Sequence, residues 1–183
     1  VKEDITNKLT ELDLTGRTSL SNLICANNLA TSLDLTKLIK LTYLGCDGNQ
    51  LTTLDITKLK KLQSLTCCDN NLTSLDLSNN ISLNFLKCTT NKLSALNFSG
   101  CTKIDNIWMY GNNISGEAMD ALIESLPDVN NKYLPIIDLS PNSGDRNVVT
   151  EAQVAALAEK GWLTYSSNNG MLLPYEGGED ILI

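Results

Sequence analysis

Asparagine recurs every 21 residues along the chain up to residue 112, and the apolar residues around it keep fixed positions. Leucine or isoleucine lies eight and five residues before each asparagine, and cysteine or methionine lies three residues before it. A strict repeat of this length predicts a solenoid, because each unit can bury its apolar side only against the next unit. The asparagines of the repeat are Asn28, Asn49, Asn70, Asn91 and Asn112.

The repeat follows L-x-x-L-x-[L/C]-x-x-N-x-L, the pattern of a leucine-rich repeat. Each copy predicts one short parallel strand centred on L-x-C. Side chains alternate along a strand, so Leu23 and Cys25 should point inward and Ile24 outward. We therefore expect the column Cys25, Cys46, Cys67 and Cys88 to be buried, reduced packing residues, a role that Met109 takes in the next copy.

Two other cysteines lie outside that column. Cys68 is predicted to face outward, and Cys101 lies in a variable segment. These two are expected to be the more reactive thiols.

The asparagine follows the strand, where the chain must turn inward. Its amide can bond backbone groups of its own turn and of the neighbouring turn, so the repeated asparagines should form a ladder. Replacing Asn70 by alanine is expected to cost roughly 1–3 kcal/mol, because buried polar groups would lose their partners.

Composition excludes several function classes. The chain has no histidine and no Cys-x-x-Cys pair, so we expect no catalytic group, no metal site and no cofactor. A hydrolase with paired carboxylates is the enzyme class left open, and no motif supports it. The net charge of −7 argues against a nucleic-acid partner.

Membrane insertion and targeting are the next question. The chain has no apolar run of membrane-spanning length, so no transmembrane segment is predicted. It begins at Val1 rather than Met, and we expect that a signal or lipid-anchor sequence has been removed.

The strict period ends after Asn112, but the pattern recurs with Asn142 and Asn168 after longer gaps that predict helices. We expect a single domain over 1–183: regular repeats over 1–112, helix-containing repeats over 113–168, and a cap or tail over 169–183. The predicted fold is an α/β solenoid with a curved parallel β-sheet on its concave face. Its convex side should be mostly non-helical, with two longer strand–helix units at the C-terminal end.

Capping signals bound the two predicted helices. Ser115 is the expected N-cap of the first helix, and Pro127 should end it. Its apolar stripe comprises Met119, Leu122, Ile123 and Leu126. Thr150 and Gln153 predict a capping box for the second helix, whose inward residues should be Val154, Leu157 and Ala158, with Gly161 at its C-terminal cap.

Aromatic residues are scarce, yet most of them fall on outward strand positions. The repeat offsets place Trp162 and Thr164 on such positions in the last strand. Exposed aromatic side chains mark interfaces, although these rings could instead cover one another, and Trp162 could belong to the core of the cap. The predicted ligand-binding residues on the concave face are Tyr43, Phe85, Lys87, Trp108, Tyr110 and Trp162.

The repeat resembles bacterial cell-surface leucine-rich repeat proteins, a group that includes the internalins. More narrowly, L-x-C-x-x-N-x-L-T-x-L-D-L is similar to the repeat of Bacteroidetes surface proteins. The stretches NNISGEAMDALIESLP and VVTEAQVAALAEKGW resemble the C-terminal cap of that group. The resemblance implies an exported protein, at the cell surface or secreted and in some members a lipoprotein.

Four functions follow from these observations as alternatives. We favour a non-enzymatic protein-interaction module for adhesion or assembly, acting through the concave face and expected to be a monomer. A carbohydrate-binding module is the main alternative, because aromatic rings and asparagines could hold a glycan. A spacer without a ligand also fits the pattern, and an enzyme is the least supported class.

Overall fold

A mostly parallel β-sheet runs along the molecule, with one short strand in each regular repeat. The computed structural model describes residues 8–129, 136–138, 147–168, 171–174 and 181–182. Strands of successive regular repeats pair in register with an offset of one repeat, as the sequence predicts. The first five strands are β1 Asn22–Ile24, β2 Tyr43–Gly45, β3 Ser64–Thr66, β4 Phe85–Lys87 and β5 Asn106–Trp108.

The middle residue of each regular strand points into the core, and the two flanking residues point outward. The leucines or isoleucine at the middle positions of β2 to β5 are fully buried. Each strand ends one residue before the cysteine, although parallel backbone bonding continues through it, as in the bond from Cys46 N–H to the Thr66 carbonyl. The chain has the leucine-rich repeat fold that its period predicts.

The cysteine column is confirmed as packing. Cys46, Cys67 and Cys88 are fully buried free thiols, and Met109 continues the column. Burial raises the pKa of these three thiols far above their usual value. Cys25 at the N-terminal end is half-buried. Burial, with a smaller effect of the Asp47 carboxylate, raises the pKa of Cys25 to about 11.

The prediction that Cys68 and Cys101 are the more reactive thiols is wrong, because both are buried. Cys68 does occupy an outward column, but hydrogen bonds with Asp47 and Thr89 enclose it, leaving it 6% exposed. Cys101 is fully buried, and its thiol donates to the Leu77 carbonyl at 3.6 Å. Cys25, at the open N-terminal end of the column, is the most exposed of the described cysteines.

The asparagine ladder is confirmed in atomic detail. Asn70 Oδ1 accepts the Leu51 N–H at 3.0 Å, 19 residues back. Its Nδ2 donates to the carbonyls of Cys46, Cys67 and Cys68 at 3.0–3.2 Å. The same contacts recur around Asn49, Asn91 and Asn112.

The next described rung of the ladder is Asn147, whereas the spacing had predicted Asn142. Asn147 Oδ1 accepts the Ile114 N–H at 2.9 Å, and its Nδ2 donates to the Met109 carbonyl at 3.0 Å. Asn142 itself lies outside the described residues. The longer connection after Asn112 changes the offset, so a count based on the regular repeat misses the correct asparagine.

One position on the convex side departs from its column. Leu38 and Leu59 are buried there in successive repeats, and Asn80 takes the place of a leucine in the next repeat. Asn80 is fully buried, and its Nδ2 donates to the Ile56 and Leu59 carbonyls at 3.1 Å. Its Oδ1 has no hydrogen-bond partner within the described part of the chain.

Asn80→Leu is therefore expected to stabilise the protein by about 1–2 kcal/mol, because an unpaired buried oxygen is replaced by apolar volume. Neither carbonyl would lose its last donor. The Ile56 carbonyl keeps the Leu59 N–H, and the Leu59 carbonyl keeps the Leu62 N–H. Denaturant unfolding of the variant measures the change.

Asn80→Ala is the matched control for that substitution. It removes the same polar atoms but leaves a cavity, so no gain in stability is expected. A leucine variant less stable than the wild type would show that the two hydrogen bonds donated by Asn80 Nδ2 stabilise the protein by more than the unpaired Oδ1 destabilises it.

Helix α1 comprises Glu117–Ser125 and packs over the convex side. The prediction of Ser115 as N-cap is wrong. Gly116 takes that position with φ 54°, a left-handed conformation that glycine adopts without strain, and no side chain caps the helix. The end before Pro127 is confirmed, because Leu126 is extended. The predicted stripe is buried: Met119, Leu122, Ile123 and Leu126.

Helix α2 comprises Glu151–Glu159 and begins with the predicted capping box, in which Thr150 and Gln153 bond each other's backbone N–H. Leu157 is buried and Val154 half-buried, but Ala158 is exposed, contrary to the prediction. Gly161 follows the helix with φ 84°, as expected of a C-terminal cap.

At the C-terminal end the structure confirms the two predicted strands, β6 and β8, and adds β7, β9 and β10, which the sequence had not indicated. β6 Ile136–Asp138 and β8 Leu163–Asn168 extend the parallel sheet, and β9 Met171–Pro174 pairs antiparallel with β8. Near the terminus, β10 Ile181–Leu182 pairs antiparallel with β7 Val148–Val149. Ile181 and Leu182 are therefore held to β7 by backbone pairing.

Candidate functional site on the outward face of the sheet

Lys87 and Trp108 form the centre of the candidate site. They are register partners on β4 and β5, and the Lys87 Nζ lies 5.7 Å from the centroid of the Trp108 ring. This is a cation–π geometry. The Trp108 Nε1 donates to Asn106 Oδ1 at 2.6 Å, which fixes the plane of the ring. Both side chains are half-buried, so each keeps surface available to solvent.

Two further rings lie next to this pair. Phe85 precedes Lys87 by two residues on the same outward side of β4, and its register partner is Asn106. Tyr110 follows Trp108 by two residues, just beyond the end of β5. Both are half-buried. The structure thus brings together four of the six predicted residues, here called the aromatic patch: Phe85, Lys87, Trp108 and Tyr110.

Tyr43 lies on the same face but outside the aromatic patch. Its strand is separated from Phe85 by β3, where Ser64 lies between the two in register. The Tyr43 ring lies across Gly45, since a side chain on Gly45 would meet the ring at 3.2 Å. Tyr43 is therefore a separate aromatic contact, about two strand spacings or ~10 Å from Phe85.

A polar cluster next to the aromatic patch was not predicted. Asp47 Oδ2 accepts the Thr66 hydroxyl at 2.6 Å, and its Oδ1 accepts the Cys68 N–H at 2.7 Å. Thr89 is 3% exposed beside them. These two bonds join the turn after β2 to β3 and the turn after it, and the hydrogen bond between Cys68 and Thr89 continues the link to the turn after β4. The two bonds to Asp47 leave its carboxylate fewer free positions for a ligand. Only the repeat offset of Asp47 and Cys68 could have indicated the contact from sequence.

The placement of Trp162 on this face is wrong. Trp162 is 1% exposed, and its Nε1 donates to the Pro127 carbonyl at 3.0 Å. The register explains the error, since Ile136 of β6 is level with Leu163 rather than Trp162. A shift of one residue moves every side chain of a strand to the opposite face. Trp162 is core of the C-terminal cap, the alternative that the sequence had left open.

Chemistry at the site is limited by its residue types. Among the described residues, no group of three histidine, cysteine or acidic side chains is placed to hold a metal ion. No helix in the described part of the chain has the length and apolarity to cross a bilayer. The face instead offers aromatic rings, one lysine and hydrogen-bonding groups, which suit binding.

Comparisons with known proteins agree with this architecture. No protein-family model and no curated protein matches the chain. Among solved structures, the functional domain of InlJ from Listeria monocytogenes, which includes a cysteine ladder, is 31% identical with a TM-score of 0.54. The match covers 84% of this chain and 40% of that chain.

Two further structures share the fold at lower identity. An internalin, InlF, from Listeria monocytogenes is 21% identical with a TM-score of 0.64, over 82% of this chain and 44% of that one. A leucine-rich repeat protein of Leptospira interrogans is 20% identical with a TM-score of 0.65, over 90% and 41%. The chain shares the leucine-rich repeat fold of these structures, and it spans less than half the length of each of the three chains.

Proposed function

We propose that the chain is a non-enzymatic protein-interaction module of a bacterial cell-surface or secreted protein, and that it serves adhesion or assembly. The aromatic patch is the proposed contact, with Tyr43 as a second anchor on the same face. The likeness to internalins and the Bacteroidetes-type repeat support a surface location. We propose that the module acts as a monomer.

The observation that carries the proposal is the contact between Lys87 and Trp108. Aromatic and basic side chains that are held in place, but not covered, lose little conformational freedom on binding. Tryptophan and tyrosine also contribute most to the binding energy of protein interfaces. Trp108 is held by Asn106 on its edge and by Lys87 at its face, so the patch is organised before a partner arrives.

A carbohydrate ligand remains the second candidate, and one observation favours it: the Trp108 ring has a fixed plane next to the Asn106 amide. Two others weigh against it. Lys87 lies over one face of the ring that a sugar would stack on, and Trp162, the other proposed platform, is buried. We therefore place protein ahead of glycan.

A paired binding screen tests the proposal. The purified chain is applied to an array of purified ectodomains of host and bacterial surface proteins, and to a glycan array. Phe85→Ala/Trp108→Ala is run beside it, with Ile39→Ala/Ile81→Ala as the control that removes exposed apolar groups elsewhere. We expect a protein interaction that the patch variant loses and the control keeps.

Other outcomes are equally informative. Protein binding that survives the loss of both rings would show that the aromatic patch is not the site. Glycan binding lost by the patch variant alone would move the chain to the carbohydrate-binding class. Circular dichroism of both variants shows whether a loss of binding reflects a loss of fold.

A further inference from the structure

Two consecutive tight turns on one flank of the solenoid push their central residues into solvent. In the second regular repeat the turns close through bonds from Leu38 N–H to the Leu35 carbonyl and from Leu41 N–H to the Leu38 carbonyl. These three leucines are buried, at 0–2% exposure. The next repeat forms the same two turns over 56–59 and 59–62. The residues between the buried positions therefore share one outer surface.

That surface collects lysines. Five of the 14 lysines and arginines of the chain fall on these turns, and all five are exposed. Residues 21 apart are stacked in neighbouring turns, about 4.8 Å from each other, so the lysines form adjacent columns. The cluster, here called the lysine flank, comprises Lys37, Lys40, Lys58, Lys60 and Lys61.

Two exposed isoleucines border the lysine flank. Ile39 is 57% exposed and Ile81 is 55% exposed, and each is one repeat away from Lys60. The column thus reads isoleucine, lysine, isoleucine across three turns. Large aliphatic side chains with this exposure on both sides of a lysine make an amphipathic surface, although the chain as a whole carries a net charge of −7.

Neighbouring acids offset part of the charge. Asp34 and Asp55 lie close enough to Lys37 and Lys58 for the lysines to contribute to their lowered pKa, after the larger effect of hydrogen bonds from Thr36 and Thr57. Lys40, Lys60 and Lys61 are on the second turn of each pair, away from those carboxylates along the chain. They are the cations most available to a partner.

We propose that the lysine flank docks the protein on an anionic lipid surface, with the ammonium groups at the phosphates and the isoleucines among the upper acyl chains. Lysine is depleted from protein–protein interfaces, which argues against a protein occupant. Lysines beside exposed aliphatic groups are the composition of interfacial membrane contacts. The inference is independent of the proposed function, because the flank and the aromatic patch share no residue.

Vesicle sedimentation of the full chain tests the inference. The probes are vesicles of phosphatidylglycerol and phosphatidylcholine in equal parts, and vesicles of phosphatidylcholine alone. We expect binding to the anionic vesicles only, weakened by high salt. Lys40→Gln/Lys60→Gln/Lys61→Gln should weaken the binding by roughly a hundredfold, from the contribution of each surface lysine. Ile39→Ser/Ile81→Ser should also weaken it, at unchanged charge.

The matched control is Lys8→Gln/Lys92→Gln, compared with Lys60→Gln/Lys61→Gln, because both pairs make the same change in net charge and Lys8 and Lys92 are exposed lysines outside these turns. Binding weakened equally by this control would overturn the assignment of the site. Two results would overturn the lipid assignment. One is vesicle binding that the isoleucine variant leaves unchanged. The other is competition in which soluble polyglutamate displaces the protein from anionic vesicles as readily as added free anionic vesicles do. The Phe85→Ala/Trp108→Ala variant should bind vesicles normally, which separates a failure here from a failure of the proposed function.

Discussion

Asn70→Asp is expected to destabilise the protein more than Asn70→Ala, although it exchanges a single NH2 group for oxygen. The aspartate keeps the acceptor for the Leu51 N–H. It also turns a carboxylate oxygen toward the carbonyls of Cys46, Cys67 and Cys68, which now receive the Nδ2 hydrogens. A buried charge without compensation costs about 3–5 kcal/mol, and we expect a loss in that range.

The alanine variant should lose only about 1–3 kcal/mol of stability, because it leaves only one backbone group without a hydrogen-bond partner. Each of the three carbonyls keeps another donor: Asn49 Nδ2 for Cys46, Asn91 Nδ2 for Cys67 and the Gly48 N–H for Cys68. The Leu51 N–H alone is left without a described partner. We therefore expect the ladder to tolerate removal of the amide side chain better than replacement of its donor NH2 group by an acceptor oxygen.

Denaturant unfolding of both variants at neutral pH measures the difference. Burial beside carbonyl oxygens should raise the pKa of the new carboxyl in the folded state. The extra penalty is then full above that raised pKa and fades as the pH falls toward the ordinary aspartate value of about 3.9. Asn28→Asp and Asn28→Ala are the controls, since Asn28 is half-buried and its partner N–H on Leu9 is exposed. An aspartate at position 70 no worse than alanine would contradict this account.

Phe98→Ala is expected to cost about 3–5 kcal/mol, the range for removing a buried aromatic side chain. Phe98 is 1% exposed on the convex side, in the column that holds leucine or isoleucine in the earlier repeats. Its N–H donates to Ser125 Oγ of α1 at 2.9 Å, so it lies at the junction between the regular repeats and the helical end. A cavity there weakens both parts.

Phe98→Leu is the conservative comparison for the aromatic ring. Leu77 occupies the equivalent position one repeat earlier, so a smaller loss, below about 1.5 kcal/mol, is expected. Thermal and denaturant unfolding of the two variants measures the change. Equal losses in the two variants would contradict this expectation, because they would show that leucine cannot replace the aromatic ring under α1.

The regular repeats could be predicted from sequence because one offset fixes every contact. Knowing that Leu44 lies beside Leu65 also places Lys87 beside Trp108, so four residues of the candidate site followed from counting. The offset changes after Asn112, and Asn147 then becomes the next rung of the ladder. Where the period ends, counting no longer identifies the partner.

The burial of Trp162 and the position of the lysine flank could not be predicted from sequence for a different reason. The stretch around Trp162 places two large apolar residues side by side, Trp162 and Leu163, and alternation cannot decide which of them points inward. The buried hydrogen bond to Pro127 decides it. The lysine flank could not be inferred from the net charge, because the value of −7 sums the whole chain and does not show that five lysines lie together on neighbouring turns.

The asparagine ladder also bears on how such a chain can evolve. Each rung joins its own turn to the one before it through the same atoms, at separations of 19 and 24 residues. Duplicating or deleting one complete repeat would recreate these bonds at the new junction, because neighbouring turns are interchangeable at their contacts. Gene duplication can therefore lengthen or shorten the molecule in whole units while the outward residues of each unit diverge. The buried amides conserve the scaffold, and the surface columns are left free for selection by different partners.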